Sequence, residues 1–260
     1  MNFLIGLATG IFGGLVGLGG GEIMIPLMVR ILKMEQRKAQ GTCLVAFVFT
    51  GVSGTLTYMS RGSVDLTAAM LLVSVAVFTA RLGASYANAL PEWKLKRAFG
   101  WLLFAVTMLL LLKSYPSHIA GSPAEWTKVF ILLFTGGITG FLSGMLGIGG
   151  GSIMVPAMVL LTGFTQYTAQ GSSLLAMIPI GLVGAYTHWR FGNVSVKTLP
   201  GLIPGILIGS FLGGSLAHSL PEIALRIIFA VILIGTGINY IRAPKSIPET
   251  DDGNTIVQKL

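Results

Sequence analysis

Charge is scarce in this chain. Only 10% of its 260 residues are Asp, Glu, Lys or Arg, while 53% are hydrophobic. Soluble domains average ~25% charged residues and need them to cover their surface. A large soluble globule is therefore excluded, as is a disordered chain, which cannot be this apolar. Cysteine is nearly absent. Cys43 stands alone, so an intramolecular disulfide and a cysteine-based metal site are ruled out. Acidic residues are also few, 9 against 17 basic ones. The basic residues sit in short clusters between apolar runs, which is the pattern of membrane loops, so no nucleic-acid partner is expected. The N-terminal run lacks a basic leader and reads as part of the mature fold, not as a cleaved signal.

What is present is a series of apolar segments, at about 3–32, 42–60, 66–90, 98–113, 129–162, 171–189, 198–220 and 224–241. A spanning helix needs ~20 apolar residues. The first and fifth segments are too long for one span and too short for two. Each is interrupted by a glycine cluster, Gly17-Leu18-Gly19-Gly20-Gly21 and Gly147-Ile148-Gly149-Gly150-Gly151.

These clusters expose an internal repeat at an offset of 130 residues, half the chain. Residues 17–26 match 147–156, and Ala39-Gln40-Gly41-Thr42 matches Ala169-Gln170-Gly171-Ser172. Leu90-Pro91-Glu92 and Leu220-Pro221-Glu222 fall at the same offset. Repeat 1 is placed at 1–113, a polar linker at 114–127, repeat 2 at 128–243, and a polar, disordered tail at 244–260.

Loop charges decide between topologies. If each half has four full spans, the basic residues other than Arg81 divide eight to eight. If the first segment of each half dips in and returns, they divide twelve to four. The positive-inside rule prefers the second arrangement. A mixed arrangement, spanning first and re-entrant fifth, gives the same split but treats two matching halves differently. An odd number of spans per half makes the repeats inverted, as in many secondary transporters. The expected fold is an all-α polytopic membrane protein. It has two inverted repeats, each opening with a Gly-broken, re-entrant or discontinuous helix followed by three spanning helices.

Irregular backbone survives at membrane depth only where protein or water covers it. Paired breaks in corresponding positions point to a central transport site. Each break also starts a new helix, at Glu22 or Ser152, whose free N–H groups and dipole attract an anion. Gly19, Gly20, Gly21, Gly149, Gly150, Gly151 and Ser152 are accordingly candidate substrate residues. The competing reading is close helix packing at small residues. Glu22 is a candidate for proton coupling, because an ionisable group at membrane depth is costly and marks function. Alternatively it is a carboxylate held by the helix N-terminus. Gln40 and Gln170 can donate to substrate oxygens from an expected helix start, where Thr42 and Ser172 add hydroxyls or simply cap. Arg81 can hold an anion with its fork, or snorkel to the interface. Tyr58 and His188, at equivalent positions, are expected at the membrane interface like neighbouring Trp189.

The doubled Gly-x-Gly-Gly-Gly-x-Ile-Met-x-Pro and Ala-Gln-Gly-Thr/Ser resemble the sulfite exporter TauE/SafE family over residues 4–241. The resemblance implies an integral permease of the bacterial cytoplasmic membrane. It also implies traffic in sulfite, organosulfonates or other small anions. Gly19, Gly20, Gly21, Gln40, Gly149, Gly150, Gly151 and Gln170 then become pore or substrate positions. Half 1 departs from half 2 in carrying Glu22 where half 2 has Ser152.

The expected function is a multi-pass anion permease in the lipid bilayer with a cytoplasmic C-terminus. Its substrate is a small anion, with export favoured and access alternating between the repeats. The alternatives are an anion channel, or an uptake carrier for another sulfur- or carboxylate-containing anion coupled to protons through Glu22. An intramembrane enzyme or scaffold is disfavoured, since no nucleophile–base pair or metal-ligand spacing is present. No cofactor or metal is expected.

Overall fold

A computed structural model describes residues 1–86, 97, 100, 101, 103, 104, 107, 108 and 124–242. Most of the fourth apolar segment, most of the linker and the tail from 243 lie outside the described residues. Among the described residues the ordered elements are all helices. Helix α1 runs Asn2–Val16, α2 Gly21–Ile31, α3 Gln36–Met59 and α4 Leu66–Tyr86. In the second half, α5 is Glu125–Leu146. Helix α6 is Gly151–Ala157 and continues as a π turn, Met158–Thr162. Then follow α7, Gln166–Arg190, α8, Leu199–Ala217, and α9, Glu222–Ile241. Helices suit a chain this apolar because each satisfies its own backbone polar groups without water.

Among the described residues six helices are long and apolar enough to cross a membrane: α3, α4, α5, α7, α8 with its short lead-in, and α9. Helix α1, with 15 residues, falls short. Its counterpart α5 reaches 22 because it begins in the polar stretch Glu125–Lys128. Helices α3 and α7 start at Gln36 and Gln166. Gln40 and Gln170 thus lie in the second turn, not at the expected start. The polar stretch preceding each apolar segment is itself helical. The α7 N-cap is Thr165, whose hydroxyl accepts from the Thr168 N–H at 3.2 Å.

Packing crosses between the halves. Helix α1 lies along α8, and α5 lies along α4. Gly6, Gly10 and Gly14 of α1 abut the backbone at Leu202, Ile206 and Ser210. The residues at the 130 offset repeat the pattern: Gly136, Gly140 and Gly144 of α5 abut Leu72, Ala76 and Ala80 of α4. Lipid supplies no hydrophobic drive between helices, so association depends on close approach at small residues. A Cβ on Gly10 would stand 3.0 Å from Ile206 Cα, so even alanine there would push α1 away from α8. Helices α3 and α7 face each other at the centre and are the most buried of the six spans.

Candidate functional site

The two breaks share one backbone design. Helix α1 ends at Gly17, with φ 71°, whose N–H donates to Gly13 O. Helix α5 ends at Gly147, with φ 67°, whose N–H donates to Ser143 O. Gly19 and Gly20 follow at φ 80° and 81°, and Gly149 and Gly150 at 82° and 68°. A side chain in this left-handed region costs ~1–2 kcal/mol, so a run of such residues calls for glycine. Gly20 and Gly150 precede the first turns of α2 and α6. The first N–H groups of each short helix have no partner within it.

The breaks meet each other and the opposite half. A Cβ on Gly151 would lie 2.8 Å from Leu18 Cα. Gly17 packs on the Gln170 side chain, and Gly147 packs on Gln40. Ser173 adds a hydrogen bond to Gly17 O at 2.8 Å. The candidate residues of the two motifs, 130 residues apart in sequence, are thus one cluster in space.

Phe47 and Met177 fill the space between the breaks, and sequence reasoning missed both. They occupy equivalent positions on α3 and α7, and each touches Gly19 and Gly149. A Cβ on Gly19 would reach 3.0 Å from the Phe47 ring, and one on Gly149 would reach 2.9 Å. The available signal was their shared offset, which is easily passed over for two unlike apolar residues.

Tyr58 and His188 correct another expectation. Both are buried, at 0% and 1% exposure, while Trp189 beside His188 is 64% exposed. The Tyr58 hydroxyl is 3.1 Å from Gly14 O, and His188 Nε2 is 3.0 Å from Gly144 O. Equivalent residues thus bind equivalent carbonyls near the ends of α1 and α5. They face inward because the small residues of these helices leave room for a ring. The Tyr58 hydroxyl also reaches Gln170 Oε1 at 2.9 Å. Its ring meets His218 edge-on at 4.6 Å. Gln40 and Gln170 are buried, and neither Gln40 Oε1 nor Gln170 Nε2 has a hydrogen-bond partner among the described residues.

Thr42 and Ser172 tie the halves together. The Thr42 hydroxyl accepts from Ser195 N–H at 2.9 Å, and Ser172 accepts from Asp65 N–H at 2.8 Å. Each hydroxyl thereby anchors a loop of the other half, Thr42 the one that leads into α8 and Ser172 the one that leads into α4. Glu22 is buried in the first turn of α2. Its Oε2 accepts from the Thr236 hydroxyl of α9 at 3.3 Å, and Ser152 of α6 lies beside the same carboxyl. Glu22 and Ser152 are thus neighbours across the two breaks, and neither Glu22 Oε1 nor Ser152 Oγ has a hydrogen-bond partner among the described residues.

A family model described as Sulfite exporter TauE/SafE matches residues 2–240. The chain belongs to this family. It is a multi-pass membrane transporter of the TauE/SafE type. A Bacillus subtilis protein named "Probable membrane transporter protein YunE" is 28% identical over 75% of this chain and 81% of its own length. A Xylella fastidiosa "Probable membrane transporter protein" is 30% identical over 74% of this chain and 73% of its own length. A third relative, "Probable membrane transporter protein YjnA" of Bacillus subtilis, is 25% identical over 92% of this chain and 98% of its own length. No solved structure matches the chain. Within this TauE/SafE chain, Arg81 is the candidate that stands apart. It is exposed on α4 and lines an outer groove against α7 that includes no residue of either break.

Proposed function

We propose that this transporter moves a small anion, most simply sulfite or an organosulfonate, between its two halves at the paired glycine breaks. The observation that carries the reading is the convergence of both breaks on Gln40 and Gln170. Gln170 Nε2 is buried without a partner among the described residues, and its N–H groups suit the oxygens of an oxyanion, while the spare atom of Gln40 is its oxygen, which can accept from a protonated anion or a water. The start of α2, an 11-residue helix, adds N–H groups and a positive dipole end when the Glu22 carboxyl in its first turn holds a proton.

The reciprocal packing of α1 on α8 and α5 on α4 supports two halves related by a pseudo-two-fold axis. With the charge split of the loops, it favours inverted repeats whose first segments re-enter. The short breaks then sit at membrane depth, and the Arg30–Lys38 loop and the C-terminus are cytoplasmic, in a bacterial inner membrane. Phe47 and Met177 close the space between the breaks, so their movement is the step that opens a path. Because the close glycine contacts join α1 to α8 and α5 to α4, rocking of the α1–α3–α8 unit against the α4–α5–α7 unit supplies alternating access.

Energetics favour export. An inside-negative potential drives one negative charge outward with ~2.3 kcal/mol per 100 mV. The closeness of Glu22 to Ser152 favours a second reading. An anion arriving at Ser152 meets the Glu22 carboxyl, and the two are compatible when that carboxyl holds a proton. Anion and proton would then travel together, and uptake becomes feasible.

The test is a proteoliposome flux panel of sulfite, sulfate, thiosulfate, taurine, sulfoacetate and small carboxylates. Saturable flux of at least one anion, lost in Gln40→Ala/Gln170→Ala, is the expected result. Movement of an unrelated cation with no anion flux would overturn the reading. Stimulation by the same anion on the far side separates a carrier from a channel.

A further inference from the structure

The outer groove between α4 and α7 has a volume of 780 Å³ and is lined by Arg81, Ser85, Tyr186 and Arg190 together with apolar side chains. Both arginines are exposed, and neither is ion-paired among the described residues. None of the described residues that line the groove is acidic.

The internal repeat supplies a control within the molecule. The helix pair at the 130 offset is α8 and α3, which also pack together. There Phe211 stands at the position of Arg81 and Ser60 at that of Arg190, while a single arginine, Arg61, stands at that of Phe191. The scaffold therefore does not need arginine at either place. The arginine pair belongs to α4 and α7 alone, at the end of the molecule where both terminate.

We propose that this groove binds the phosphate of an anionic phospholipid. Two guanidinium groups suit a phosphodiester, which each can grip through paired oxygens. Leu182 and Phe191 are exposed beside them and offer apolar surface to an acyl chain. Tyr186, 59% exposed, has the amphipathic ring favoured at the headgroup level. Basic pockets between spanning helices hold anionic lipids in this way. Only the choice of leaflet, the cytoplasmic one, rests on the topology given under Proposed function; the lipid site does not depend on transport of any anion.

The experiment is native mass spectrometry of the full chain released from micelles holding equal amounts of phosphatidylglycerol and phosphatidylcholine with the same acyl chains. Two basic side chains near a bilayer surface give a preference of roughly thirtyfold for the anionic lipid. That preference is expected to vanish in Arg81→Phe/Arg190→Ser, which installs residues the other half already carries. It is expected to persist, weakened, in Arg81→Lys/Arg190→Lys. Equal retention of both lipids by the unaltered protein overturns the proposal, whether or not a variant folds. So does an undiminished preference in Arg81→Phe/Arg190→Ser. Displacement of the lipid by an equal concentration of glycerol 3-phosphate would overturn it too, by making the groove a site for free small anions.

Discussion

Replacing Gly20 with alanine tests whether the first break is as tightly enclosed as its geometry implies. Gly163, in the turn after α6, is the matched control. The two glycines have nearly the same backbone, φ 81° and 79°. Alanine at either therefore incurs the same left-handed penalty of ~1–2 kcal/mol. Their surroundings differ. A Cβ at Gly163 meets nothing within 4 Å, whereas one at Gly20 drives into the Thr9 carbonyl oxygen. Thr9 belongs to α1, which is held against α8 by Gly6, Gly10 and Gly14, so the carbonyl cannot easily retreat. Overpacking of this kind adds ~1–3 kcal/mol. In a chain of this size each kcal/mol lowers the melting temperature by ~2–4 °C. Gly20→Ala should thus melt ~2–12 °C below Gly163→Ala, the product of that overpacking range and the slope. The chain has 4 tryptophans, so intrinsic fluorescence of the detergent-purified variants reports the transition. Coincident melting of the two variants would refute the close contact between the first break and α1.

Other expectations concern the centre of the molecule. Tyr58→Phe removes the hydroxyl whose single proton lies between Gly14 O and Gln170 Oε1; leaving a buried acceptor short should cost ~1–3 kcal/mol in thermal unfolding. Phe47→Ala opens the space between the breaks. Substrate leak should rise in proteoliposomes, with a loss of ~3–5 kcal/mol in stability, and unchanged leak would argue against Phe47 as the closing residue. Glu22→Gln keeps an acceptor for Thr236 but cannot exchange a proton. If anion and proton move together, substrate-driven acidification should disappear while binding persists; acidification equal to that of the unaltered protein would remove Glu22 as the carrier.

Much of this transporter was legible in one dimension. The charge deficit implied a membrane solvent, because a bilayer tolerates an apolar surface that water does not. The 130-residue offset marked a duplication and paired Gly17 with Gly147, Gln40 with Gln170, and Tyr58 with His188. Local steric rules then explain why the breaks are written in glycine, since successive left-handed backbone angles exclude other residues. Only the tertiary structure decided what those residues touch. That Gly17 faces Gln170 and Gly147 faces Gln40 depends on which helix of one half lies against which helix of the other. Composition and periodicity do not specify that choice; it is made by interdigitating small residues along α1–α8 and α5–α4. The same packing turned Tyr58 and His188 inward, set Phe47 and Met177 between the breaks, and left Arg81 on the outside beside Arg190.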